Sequence, residues 1–245
     1  MSLDLTIRKF FLISCLLALG ACAAPKEGAL IADPIEPVNR VFHAVNKGLD
    51  TIALRPASKV YAAVTPNFVE RRLENVISHL ALPADTLNSL LQGRTELAGK
   101  NFERFMVNSV LGIGGLFDMS TDLGLTRNDT DFGETLKVWG VGEGFYVELP
   151  LLGPSTARAT LGLVVDFVID PLQLSPVPDV TTRTAVRVVE VIDLRDAFGA
   201  QIDAALYESE DSYNTTKTSY VQARRRYLDR FEERSEDDFV DIYAE

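Results

Sequence analysis

The residues that most often carry catalysis or metals are scarce in this chain: His43 and His79 are its only histidines, Cys15 and Cys22 its only cysteines. Neither histidine stands in a His-x-x-x-His or Cys/His spacing, which would set two ligands on one helix face, so metal catalysis is poorly supported. A Ser-His-Asp hydrolase would need one of the two as its base, and no Gly-x-Ser-x-Gly elbow presents a nucleophile. Two glycine runs could in principle cradle phosphate. Gly112-Ile113-Gly114-Gly115 follows a helical stretch and lacks the G-x-G-x-x-G spacing. Gly140-Val141-Gly142-Glu143-Gly144 lacks that spacing and a Walker lysine, and Glu143 would repel phosphate. These glycines read as tight turns or close backbone packing, and no cofactor is implied.

The 245 residues carry 24 Lys and Arg against 35 Asp and Glu, a net charge of −11, with 47% hydrophobic residues. That suffices for one large globular domain or two small ones and argues against disorder. The acidic balance argues against nucleic-acid binding, which needs a Lys/Arg surplus or a basic stripe. Two cysteines cannot form a disulfide scaffold.

Met1 to Ala21 reads as an export signal, with Arg8 and Lys9 ahead of the apolar run Phe10 to Leu19, too short to span a bilayer. Leu19-Gly20-Ala21-Cys22 resembles the bacterial lipobox, which implies cleavage before Cys22 and acylation of its thiol. The alternative is an ordinary secretory peptide that leaves Cys22 free. Cleavage removes Asp4, Arg8 and Lys9 and takes the net charge from −11 to −12. Ala23, in place of an Asp after the cysteine, implies sorting to the outer membrane.

These features need a scaffold, and its pattern is helical. Residues 22–32 read as an acylated tether, with the fold beginning at Asp33. Asp33-Pro34-Ile35-Glu36 predicts a helix start with Asp33 as N-cap, followed by Val38, Val41, Phe42, Val45 and Leu49 at helical spacing. Helical blocks are predicted over 67–79, from Asp85 to a C-cap at Gly93, and over 94–111, where Lys100, Arg104 and Asn108 share a face. A loop over 118–133 precedes a β-hairpin candidate over 135–152, around Gly140, Gly142 and Gly144. A helix over 155–169, a Pro-rich turn over 173–179, two helices between Thr181 and Phe231, and an acidic tail over 232–245 complete a mainly α reading.

The motifs resemble one family in order along the chain. Asp33-Pro34-Ile35-Glu36-Pro37-Val38-Asn39-Arg40, then Phe42, Asn46, Leu49-Asp50 and Arg55-Pro56, is similar to the opening signature of the MlaA (VacJ) outer-membrane lipoproteins. Asn88 with Leu91-Gln92-Gly93, Arg104-Phe105, Gly114-Gly115-Leu116-Phe117-Asp118, Asp131-Phe132-Gly133-Glu134-Thr135-Leu136, Trp139-Gly140-Val141-Gly142 and Leu149-Pro150-Leu151-Leu152-Gly153-Pro154-Ser155 continue it. The resemblance covers about Asp33 to Pro171, with a weaker echo at Asp211-Ser212-Tyr213. Ala157-Arg158-Ala159 departs from a Leu-Arg-Asp common in the family.

The resemblance implies a non-enzymatic protein that removes phospholipids mislocalised in the outer leaflet and passes them to a periplasmic carrier, MlaC, in association with a trimeric porin. It implies a mainly α, ring-like bundle of amphipathic helices lying within the outer membrane, with a central channel and a short glycine-rich hairpin. A channel for phospholipid needs a polar wall for the head group, and Arg40, Lys100, Arg104, Asn108 and Arg158 are its candidates. The alternative for each is a surface ion pair or a helix cap. Arg104→Glu would then impair lipid removal with folding intact. Trp139, Gly140, Gly142 and Gly144 resemble the family's mobile hairpin, and a static tight turn is the alternative. The competing functions are a scaffolding lipoprotein that tethers partners, and a periplasmic lipid esterase.

Overall fold

The structure, a computed structural model, describes residues 28–169 and 180–231. The export signal, Cys22, Asp170-Pro171, the Pro-rich turn and the acidic tail lie outside the described residues. The chain is mainly α. Helix α1 (Glu36–Leu49) runs into a π-helical turn (Asp50–Leu54) and α2 (Arg55–Val64). Next come α3 (Asn67–Leu91), α4 (Thr95–Val110), the short α5 (Met119–Asp122) and α6 (Phe132–Val138). An antiparallel pair, β1 (Tyr146–Leu149) and β2 (Gly153–Thr156), sets Tyr146 opposite Thr156 and Leu149 opposite Gly153. It leads into α7 (Ala157–Ile169). Then follow α8 (Val180–Ala197), α9 (Gly199–Asp203), a second π-helical turn (Ala204–Glu208) and α10 (Ser212–Asp229).

The packing neighbours close into a circuit. α1 packs on β1, β1 pairs with β2, β2 meets α7, α7 lies on α6, and α6 touches α3. α3 touches α8, α8 packs on α2, and α2 returns through the first π-turn to α1. α4 packs against α3, and α10 against β2 and the second π-turn.

The circuit is inside out. Among the described residues the buried apolar set is Ile31, Ala32, Leu82, Ala98, Phe145, Tyr146, Tyr213, Val221 and Leu228, whereas 21 polar or charged side chains are buried. Helix α1 shows why. Its i, i+3, i+7 valines, Val38, Val41 and Val45, are the exposed ones, at 50%, 61% and 47%, while Asn39 and His43 face inward. α4 repeats this, burying Arg104 and Asn108 and exposing Phe102, Met106 and Val110. A water-soluble helix places these stripes the other way round.

Several local expectations are corrected. Asp33 is not an N-cap: α1 starts after Ile35 with no side-chain cap. Instead Asp33 accepts from Asn39 Nδ2 at 2.8 Å, from Lys217 Nζ at 2.9 Å and from the Tyr213 hydroxyl. The predicted tether ends earlier, because Ile31 and Ala32 are buried and the Tyr146 amide donates to the Ala32 carbonyl at 2.9 Å. The helical blocks on either side of Pro83 are one continuous helix. Pro83 removes one donor, yet α3 packs along α4, and tertiary contact outweighs the local penalty. Residues 132–138 are helical, so the strand pair begins only at Tyr146, and its turn is Pro150-Leu151-Leu152.

Candidate functional site: the polar interior

Buried polar groups are tolerable where they are paired, and three networks pair many of these. The first joins α1, β1 and α10. Asn39 accepts the Glu148 amide at 2.9 Å and donates to the Tyr146 carbonyl at 3.1 Å. Glu148, 2% exposed, takes the Tyr146 hydroxyl on one oxygen and Asn46 Nδ2 at 3.2 Å on the other. His43 Nδ1 lies 3.5 Å from that second oxygen, and His43 Nε2 shares a 3.1 Å hydrogen bond with Ser212 Oγ. Lys47 Nζ donates to the same serine oxygen at 3.4 Å.

The second network clamps the π-turns. Arg195, 5% exposed, donates to both oxygens of Asp50 at 2.6 and 3.1 Å and to Asp203 at 2.5 Å. Tyr207 donates to Asp50 at 2.7 Å, and Arg55 to Asp203 at 2.8 Å. Hydrogen bonds from Arg195 to Asp50 outweigh its burial and hold its guanidinium firmly charged.

The third network surrounds α6. Asp131 caps that helix through the Glu134 amide and pairs with Arg224 at 2.7 Å. Burial pushes the Asp131 carboxyl up, but Arg224 outweighs it and the net shift is downward. Glu134 accepts from Arg94 and Arg230, and Asp166 from Asn88 and the Phe132 amide. Asp85, beside Arg127, is raised to about 6 because burial exceeds the pull of that arginine.

The five head-group candidates are not brought to one place. Arg40 lies between Glu36 at 2.9 Å and Asp211 at 3.2 Å, half exposed. Lys100 pairs on the surface with Glu96 at 2.7 Å. Arg104 and Asn108 converge on Asp118, Arg104 by two bonds of 3.0 and 2.9 Å and Asn108 by one of 3.0 Å. They fasten the segment after α4 back onto it, with Ser120 and Thr121 in the same cluster. Arg158, 9% exposed, donates to the Val141 carbonyl at 2.9 Å, and burial lowers its pKa.

The glycine-rich run is tied down along its length. Trp139 Nε1 donates to the Leu91 carbonyl at 3.0 Å, and its ring meets Phe132 edge-on at 5.5 Å. Arg158 holds Val141, and Arg225 pairs with Glu143 at 2.7 Å. Gly140 and Gly144 have φ of +86° and +76°. Gly144 also approaches Ala157 so closely that a β-carbon would stand 2.7 Å from the Ala157 methyl. Gly142 has open space around the position of a β-carbon.

A recess of about 470 Å3 opens between α3 and α8. Glu74, Asn75, Ile77 and Ser78 of α3 face Glu190, Asp193, Leu194 and Ala197 of α8 across it, with Phe198 beside them and Asp118 and Arg127 contributed by the segment after α4. Carboxylate oxygens of Glu70, Glu74 and Asp193 lie within 4.8 Å of one another, and Tyr61 donates to Asp193 at 2.9 Å. An oxygen-only set of this kind is the chemistry of a hard cation, and neither histidine belongs to it. Burial, then the charges of Asp193 and Glu70, raise the Glu74 pKa. The α3–α8 recess and its lining have no signature in the sequence, because their members lie far apart in the chain.

Comparison with known proteins places this architecture. The chain is 33% identical to an uncharacterized protein of Rickettsia bellii, over 79% of this chain and 76% of that one. It is 29% identical to the intermembrane phospholipid transport system lipoprotein MlaA of Escherichia coli, over 84% of this chain and 82% of the relative. A solved structure described under the structural basis for maintenance of bacterial outer membrane lipid asymmetry superimposes with a TM-score of 0.70 at 29% identity, covering 80% of this chain and 99% of that one. The MlaA lipoprotein family model matches residues 31–227, and the chain belongs to that family.

Proposed function

We propose that this protein is an outer-membrane lipoprotein that removes phospholipids mislocalised in the outer leaflet, through a passive amphipathic channel enclosed by the helix circuit, and hands them to a periplasmic carrier. The observation that carries this reading is the inverted circuit. Apolar side chains on its outside suit acyl chains, and the paired polar side chains inside suit a charged head group. No helix of the described residues is long and apolar enough to cross a membrane, so immersion would rest on amphipathic faces and on acylation of Cys22. The names of the relatives support phospholipid as the cargo and the outer membrane as the site. Association with a trimeric porin and delivery to an MlaC-like carrier belong to the same proposal, as does the absence of catalysis. Within it, Lys100, paired with the exposed Glu96, and Arg158, which donates to the Val141 carbonyl, are the cationic head-group candidates less committed than Arg40, which two carboxylates hold, and Arg104, which Asp118 holds. The ties on Trp139 to Gly144 support a static clamp.

The test is the surface phospholipid content of the outer leaflet in cells lacking the protein, with wild-type and Cys22→Ala rescues. A rise reversed by the wild type supports removal, and a weaker Cys22→Ala rescue supports the anchor. An unchanged leaflet moves scaffolding to the front.

A second reading, ester hydrolysis, draws on one observation, the Ser212–His43–Glu148 arrangement. Covalent capture of Ser212 by a fluorophosphonate, lost in His43→Gln, would favour it. An unlabelled protein leaves those residues as the bolt between α1, β1 and α10.

A further inference from the structure

Helix α10 is built the other way round from its neighbours. Each of α1, α2, α3, α4, α7 and α8 turns two or more large apolar side chains outward, as Val41, Val60, Phe68, Met106, Val164 and Val191 do. α10 instead buries Tyr213, Val221 and Leu228, and its exposed residues are Asn214, Ser219, Gln222, Ala223 and Arg226. Tyr213 and Val221 belong, with Ile31 and Tyr146, to a buried apolar cluster. This is the polarity of a helix that packs in water, and a hydrocarbon surround would strip Asn214, Gln222 and Arg226 of their hydration. Ion pairs on other sides of α10 fasten it to the circuit: Lys217 to Asp33 at 2.9 Å, Arg224 to Asp131 at 2.7 Å and Arg225 to Glu143 at 2.7 Å.

The N-terminal segment tells which pole of the circuit this is. Arg225 donates to the Leu30 carbonyl at 2.9 Å and Lys217 holds Asp33, so residues 30–33 lie against α10. Cys22 precedes Leu30 by eight residues, a reach of at most about 28 Å at about 3.5 Å per residue. The hydrocarbon core of a bilayer is about 30 Å thick, and about 40–45 Å with its head groups. A cysteine acylated in the leaflet that faces the periplasm is therefore too close to Leu30 for α10 to emerge at the cell surface. We infer that the circuit docks in a lipid surface with one pole left out: α10 is its periplasmic cap, the face that water-soluble molecules of the periplasm touch, while the outward apolar stripes of the other long helices meet acyl chains. This inference rests on the reading as an acylated outer-membrane lipoprotein and not on lipid transport, and it adds the orientation of the circuit.

The test is labelling by a bulky, membrane-impermeant maleimide in cells that make the full-length protein, first intact and then with the outer membrane permeabilised. Ser219→Cys, Gln222→Cys and Ala223→Cys report on α10, and Val41→Cys, Met106→Cys and Val164→Cys on the apolar stripes, all six being exposed positions. The wild-type protein is the blank for Cys22. The α10 cysteines are expected to stay unlabelled in intact cells and, once the membrane is permeabilised, to react at least about tenfold faster than the stripe cysteines, which label fully only in detergent. Labelling of the α10 cysteines on intact cells overturns the periplasmic side, and α10 cysteines shielded until detergent is added overturn the cap altogether. Equal labelling of both sets without detergent, with the protein recovered in the soluble fraction, overturns the membrane reading instead.

Discussion

Gly162 of α7 sits so close to Gly133 of α6 that a β-carbon on Gly162 would stand 2.3 Å from the Gly133 nitrogen and 2.6 Å from its α-carbon. The two helices cross backbone against backbone, which aligns the Asp166 carboxylate with the Phe132 amide at 2.9 Å. Gly162→Ala must push α6 away and is expected to cost about 1–3 kcal/mol. Denaturant unfolding in detergent measures it, and an unchanged midpoint would contradict the crossing.

The Arg104–Asp118 pair reverses a sequence-based expectation. Arg104 is 4% exposed and doubly bonded to Asp118, so Arg104→Glu would set two carboxylates together rather than leave folding intact. The expected loss is about 3–5 kcal/mol. Adding Asp118→Arg to Arg104→Glu should recover part of it, and thermal unfolding of the two variants decides.

Lys100 gives the cleaner probe of a head-group role. Its partner Glu96 is 80% exposed, so Lys100→Glu is expected to change stability by no more than about 0.5 kcal/mol. A clearance defect in that variant at unchanged melting temperature would favour contact with lipid phosphate. Normal clearance would leave the surface ion pair as its whole account.

Asp85 predicts a pH dependence. Its pKa rises from 3.8 unfolded to about 6 folded, with burial as the largest cause. Between those values the folded state holds the proton that the unfolded state has released. Stability therefore falls as pH rises from about 4 to about 6, by on the order of 2–3 kcal/mol for this group. Asp85→Asn should flatten that part of the curve relative to wild type. Parallel curves would rule out Asp85 as the cause.

The clamp on the glycine-rich run is open to the same treatment. Arg158→Met removes the bond to the Val141 carbonyl, and Trp139→Phe the bond to Leu91. Both are expected to speed amide exchange over residues 140–145, with little change in α10. Unaltered exchange would mean that Arg225–Glu143 holds the run alone.

The helices were legible in the sequence because the 3.6-residue period is the same whichever way a stripe faces. The direction was not: Val38, Val41 and Val45 predict a buried stripe in water, and they are exposed here. Capping logic misplaced Asp33, whose carboxylate serves Lys217 and Tyr213, partners about 180 residues away. Pro83 marks a break only for an isolated helix, and α4 supplies the contacts that carry α3 through it. Helical spacing sets Arg104 and Asn108 on one face, but their shared partner Asp118 follows a glycine-rich turn whose return path no local pattern fixes.

The inverted interior has a thermodynamic consequence. Unfolding in water normally exposes apolar surface, which gives the large heat-capacity increment that bends the stability curve. Here much of that surface is already outside, and the groups released on unfolding are largely polar, which lower the increment. The protein should therefore show a shallow, broad dependence of stability on temperature. Its cohesion would reside in ion pairs and hydrogen bonds, so guanidinium chloride, which screens charges as urea does not, should unfold it at unusually low concentration relative to urea.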